Sequence, residues 1–133
     1  MYRNLGVTIL IVVALACGRP DPETLPLRAF GNEPFWNVTL SADGIVYGRM
    51  GEADVSFPYE SPRHVGDASA TRVFGPLRDD SGQHEIEMRI SSEDCQDTMA
   101  DVVHPMRATV FMDGEELTGC ARHPAADTGT ETP

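Results

Sequence analysis

From Phe35 onward the apolar positions repeat every second residue, the period of an extended strand with one face turned inward. Phe35 to Leu40 leads through Ser41-Ala42-Asp43-Gly44 into Ile45 to Met50, and the Asp-Gly step between the two runs marks a hairpin. Further runs follow at Asp54 to Tyr59, Thr71 to Leu77 and His84 to Ile90, the last alternating strictly as Glu85, Ile86, Glu87, Met88, Arg89, Ile90. A second Asp-Gly step, Asp113-Gly114, joins Arg107 to Met112 with Glu115 to Ala121. About seven short strands at regular spacing predict an all-β domain, a small antiparallel barrel or sandwich. The one stretch expected to hold a short helical turn is Glu93 to Val102, where Ser91 or Ser92 could cap it and Pro105 would stop it.

The flanks carry different patterns. Residues 1–16 open with Arg3 and an apolar run from Leu5 to Ala16, too short to cross a bilayer as a helix and suited to the h-region of a signal peptide. Residues 17–27 hold Pro20, Pro22 and Pro26, which suit a semi-extended tether of roughly 30 Å at about 3.1 Å per residue. Residues 124–133 contain no large apolar side chain and are expected to form a disordered tail. The remaining segment, 28–123, is long enough for one domain with one core.

Charge narrows the partners. The chain has 21 acidic against 10 basic residues, a formal net charge of −11, and all its basic side chains are arginines. Phosphate backbones and anionic head groups would be repelled by such a surface, so nucleic acid is excluded as an expected partner and cationic partners are favoured. The same excess also serves plain solubility.

Candidate chemistry is sparse. There is no G-x-S-x-G, no H-E-x-x-H and no phosphate-binding loop. His64, His84, His104 and His123 fall in no short zinc-ligand spacing, so no metal and no cofactor is expected, and no catalytic residue is assigned. Asp97 and Asp101 stand four apart and on a helical turn would share a face, open to cation binding or to turn capping. Phe35 and Trp36 read as buried scaffold at one end of the core, with ligand binding as the other reading, and Glu33 is expected to find Arg28 or another arginine.

Ala14-Leu15-Ala16-Cys17 resembles a bacterial lipobox. That resemblance implies diacylglycerol on Cys17, cleavage before it and a lipid bilayer as partner; Gly18 in the next position implies the outer membrane. With Cys17 so assigned, Cys95 and Cys120 remain as an even pair in an oxidising compartment, and a disulfide between them is expected. Phe30-Gly31-Asn32-Glu33-Pro34-Phe35-Trp36, followed by Cys95-x-Asp97-x-Met99-x-Asp101, His104-Pro105, Gly114 and Leu117-x-Gly119-Cys120, resembles a family of bacterial envelope lipoproteins with a GNEPFW-like opening and a C-x-D-x-M-S-D ending. Ala100 and His104 stand where that family has Ser and often Tyr. The resemblance implies a location and an architecture and brings no activity. The expected function is therefore a lipid-anchored, non-catalytic β domain facing the periplasm that binds a protein or a cell-wall component. The alternative is an inhibitor of a lysozyme-like hydrolase, for which Ser81-Gly82 offers part of the loop such inhibitors use, although the chain has no lysine.

Overall fold

The computed structural model describes residues 25–67 and 71–124. The expected signal peptide, Cys17 and most of the expected tether lie outside the described residues, as does the expected tail beyond Pro124. What is described is all β: β1 (Leu27–Asn32), β2 (Phe35–Ser41), β3 (Gly44–Arg49), β4 (Val55–Phe57), β5 (Arg63–Val65), β6 (Thr71–Arg78), β7 (Glu85–Ser91), β8 (Cys95–Asp97), β9 (Val102–His104), β10 (Met106–Met112) and β11 (Glu115–Arg122).

Nine of these strands form one antiparallel sheet in the order β4-β3-β2-β1-β11-β10-β7-β6-β5. Its two edges, β4 and β5, are neighbours in sequence, and that forces the sheet to curl. The link from Phe57 to Arg63 reaches at most about 20 Å when extended, whereas nine strands laid flat at about 4.8 Å spacing would put the edges about 38 Å apart. The result is a half-barrel, with Phe57 from one edge and Phe74 from near the other in the same apolar core. Burial alternates along the strands as the sequence pattern requires, for example exposed or half-buried against buried through Glu85–Ser91. Leu27, Val38, Leu40, Ile90, Ala108 and Val110 are fully enclosed, and no polar or charged residue is buried among the described residues.

The hairpin turns follow local chemistry. At the β10–β11 corner Asp113 and Gly114 both have positive φ, 50° and 83°, the twist that a two-residue type I′ turn needs and that Asp-Gly tolerates. At the β2–β3 corner the turn residues are Ala42 and Asp43, and Gly44 already pairs with Ser41 as the first residue of β3.

Three expectations are corrected. Glu93 to Val102 contains no helix: β8 and β9 form a separate two-stranded antiparallel ribbon, with Cys95 opposite His104 and Asp97 opposite Val102. The β-branched pair Val102-Val103 favours extended backbone, and the carboxylate of Asp97 accepts the Met99 N–H at 3.0 Å within the tight turn joining the strands. The strands exceed the expected seven, because β1, β5, β8 and β9 are short or carry weak alternation. The fold also starts before Arg28, since Leu27, placed in the tether by the prolines around it, is fully buried in β1. The Cys95–Cys120 disulfide is present, with the Cα atoms 5.5 Å apart, and it fastens the ribbon, rather than a helical turn, to β11.

A cleft between the sheet and the disulfide-fastened ribbon

Because Leu27 and Ala29 point into the core, the alternate residues of β1, namely Arg28, Phe30 and Asn32, point to the outer face. Register carries that face across the sheet: Arg28 lies opposite Arg122 and Phe30 opposite Cys120 on one side, and Phe30 lies opposite Asn37 and Asn32 opposite Phe35 on the other. Cys120 therefore presents its sulfur outward, and the disulfide lays the β8–β9 ribbon over this face. Two contacts fix the ribbon further. The Asn32 amide donates to the Asp97 carboxylate at 2.8 Å, and the His104 ring meets Phe30 edge-on with centroids 4.9 Å apart.

Between ribbon and sheet lies a cleft of about 660 Å³. The ribbon supplies one wall with Asp97, Ala100, Val102 and His104; Met50 and Asp54 supply the opposite one. Gly48 forms the floor. A Cβ there would stand 3.0 Å from Asp54 Oδ1 and 3.1 Å from Asn37 Nδ2, so the missing side chain leaves the space over which those two polar groups lie. Arg28 and Arg122, paired two residues along the strands from Phe30 and Cys120, line one end, and at the rim Phe35, Met50 and Val102 are exposed apolar side chains.

The motif residues divide sharply. Trp36 is buried as expected, at 3 % exposure. Phe35 is 46 % exposed, contrary to its expected burial, because consecutive residues on a strand face opposite sides and Trp36 takes the inner one. Glu33 sits exposed in the β1–β2 turn and makes no ion pair among the described residues, so the expected arginine partner is not found. Asp97 and Asp101 share no helical face. Asp97 binds Asn32 and the Met99 N–H, whereas Asp101 is exposed in the ribbon turn with φ of 53°. No group of His, Cys, Asp and Glu able to hold a metal ion occurs among the described residues.

Asn37, Met50 and Arg122 stand inside no quoted motif and Arg28 enters the sequence reading only as an expected partner of Glu33, since only strand register brings these four together. Asn32 and His104 were within reach, as members of the two motif strings. At the cleft's edge Arg49 bonds Glu115 at 2.7 Å, a hydrogen bond that raises its pKa. Beneath, burial raises the Tyr47 phenol above its ordinary 10.0.

A second polar cluster occupies the β6–β7 turn. His84 Nδ1 lies 2.7 Å from Asp113 Oδ2, Glu85 donates its N–H to Asp113 Oδ1 at 2.8 Å, and His84 donates its N–H to Asp79 Oδ1 at 3.0 Å. The Ser81 hydroxyl donates to Asp79 at 2.7 Å and accepts from the Gln83 N–H, so the Ser-Gly loop is tied into its own turn. The hydrogen bond to Asp113 raises the His84 pKa above 6.5, and the same bond lowers that of Asp113 below 3.8. The His84 contribution to stability is then complete below about pH 6.5 and lost as pH rises through the raised value; that of Asp113 is present above about pH 3.8 and lost as pH falls through the lowered one. The melting temperature of wild type should exceed that of His84→Gln most near about pH 5.5, and the gap should shrink by about pH 8. A gap that widens with pH would contradict this pairing.

Comparison with known proteins finds no family model, no curated protein and no solved structure that matches this chain.

Proposed function

We propose that this chain is a non-catalytic binding domain of the bacterial cell envelope, held by a lipid on Cys17 at the outer membrane, facing the periplasm, and that its outer-face cleft receives a periplasmic protein or a cell-wall component. The observation that carries this reading is convergence. The Phe30 to Trp36 stretch and the Cys95 to His104 stretch are far apart in the chain, yet they build opposing surfaces of one cleft and are joined directly by the Asn32–Asp97 bond, 65 residues apart. A motif that served the core alone would not need Asn32, Phe35, Val102 and His104 turned outward around a hollow. Small-molecule sites are commonly clefts of about 300–1,000 Å³; this one has that size, and its lining mixes apolar side chains such as Phe30, Phe35, Met50 and Val102 with polar and charged ones.

The test is photo-crosslinking in intact cells with a photoreactive amino acid at Met50, Val102 or Gln83. Met50 and Val102 should trap an envelope component recovered with the membrane fraction, and the Cys17→Ser form should move to the soluble fraction. Trapping of a cell-wall hydrolase from Gln83 alone would instead favour the inhibitor reading, because that residue lies in the Ser81-Gly82 loop and outside the cleft.

A further inference from the structure

Building on the cleft-binding reading, we infer that the cleft recognises the free carboxylate terminus of a short peptide with apolar end residues, and that Arg28 and Arg122 form its carboxylate clamp. The two arginines are direct cross-strand neighbours on one face, and like charges placed so destabilise a sheet. Acidic residues outnumber basic ones 21 to 10 in this chain, and Arg49, Arg78, Arg89 and Arg107 each meet a carboxylate. Arg63 and Arg72 meet none but donate to the Gly75 carbonyl and the Met106 sulfur, whereas Arg28 and Arg122 meet no carboxylate among the described residues, although Asp54 and Asp97 line the same cleft. With acid in such excess, an arginine pair that meets no carboxylate of the described residues is a repulsion at the cleft that an external anion relieves. Neighbouring guanidinium forks match the two oxygens of a carboxylate.

The rest of the cleft selects among anions. Phe35 at 46 %, Met50 at 76 % and Val102 at 45 % exposure offer apolar contact to side chains next to the terminus. Asn37 on the floor carries both a donor and an acceptor, the complement of a peptide group. A fatty acid has no use for that amide, and inorganic phosphate has no use for the rim. Such apolar contacts would also account for the exposure of Phe35, in a fold whose Trp36, Tyr47, Phe57 and Phe74 are buried and whose Phe30 and Phe111 are half-buried.

The experiment is calorimetric titration of the full-length chain in detergent micelles, with amide chemical shifts mapping the site. The probes are an N-acetylated alanine-alanine-leucine tripeptide with a free carboxylate, its C-terminal amide, hexanoate and inorganic phosphate. The free-acid tripeptide should shift amides around Phe30, Asn37 and Val102 and bind at least about 10-fold more tightly than the amide. Arg28→Gln/Arg122→Gln should abolish that preference, and Phe35→Ser should weaken both peptides. All three positions are surface-facing, so an unchanged melting temperature certifies the fold. Equal binding of acid and amide, or binding of hexanoate or phosphate without the peptide, overturns the inference while leaving a ligand in the cleft. No shift with any probe also overturns it; whether the cleft reading survives is then decided by the crosslinks from Met50 and Val102.

Discussion

Replacing Cys95 and Cys120 together by alanine should lower the melting temperature by about 15 °C or more. The bond closes a loop with a sequence separation of 25, which on the chain-entropy account contributes about 3.5 kcal/mol. For a domain of this size each kcal/mol moves the transition by about 4–8 °C. The loss should also have a definite place. Of the β8–β9 ribbon only Cys95 is buried, while Val102 and Val103 face solvent. Without the sulfur link the ribbon keeps little beyond the Asn32–Asp97 hydrogen bond and the Phe30–His104 edge contact. Amide exchange should therefore rise steeply across residues 95–104 and far less in β10 and β11. Since the ribbon is one wall of the cleft, ligand binding should fall with it even at temperatures where the half-barrel stays folded. Two free thiols in the native protein, or ribbon amides as protected in the double variant as in wild type, would show that the disulfide is not what holds this wall.

How much of this was readable in the sequence depends on which force places each part. Strands such as Glu85–Ser91 and Met106–Met112 alternate cleanly because one face is core and the other water, and period two survives in the sequence whatever the neighbours are. β1 shows no strand signature because its inner face is made of Leu27, Ala29 and Gly31, small after the first, while the large Phe30 points outward to meet His104. Its alternation is inverted in size, and the prolines before it suggest a tether. The ribbon reads locally as a helical turn for a related reason. Asp97, Asp101 and a proline stop fit a helix locally, whereas the choice between helix and ribbon is made by a bond to Cys120 and an amide from Asn32, both supplied by distant segments. The cleft shows the same division. Its motif residues could be named from sequence, and the outward facing of Phe35 follows from the alternation that puts Trp36, Val38 and Leu40 inside, but the adjacency of Arg28 to Arg122 is a property of register, and no local pattern encodes register between the first and last strands of a sheet.

Trp36 and Phe35 offer the sharpest contrast in the molecule, two aromatic neighbours with opposite fates. Trp36→Ala should cost about 3–5 kcal/mol, the range for deleting a large buried ring, against a total of about 5–15 kcal/mol for a domain. The indole is 3 % exposed, and its place is tied to Gly31, its cross-strand partner on β1. A Cβ on Gly31 would stand 2.7 Å from Trp36 Cε2 and 2.8 Å from the Thr118 carbonyl, so the ring packs directly on the Gly31 backbone. Removing it leaves a void over the β1–β11 seam, where the first and last strands of the fold meet, and cavity and transfer losses add. Phe35→Ala removes a ring that is 46 % exposed at the cleft rim and should cost less than about 1 kcal/mol, with its effect seen in binding instead. Urea unfolding of the two variants, with Trp36→Phe as the conservative replacement, should order them as Phe35→Ala nearest to wild type, Trp36→Phe between, and Trp36→Ala least stable or unfolded at room temperature. The reverse order, or a Trp36→Ala protein as stable as wild type that has lost its ligand, would mean that the indole serves recognition and that the seam is held by something else.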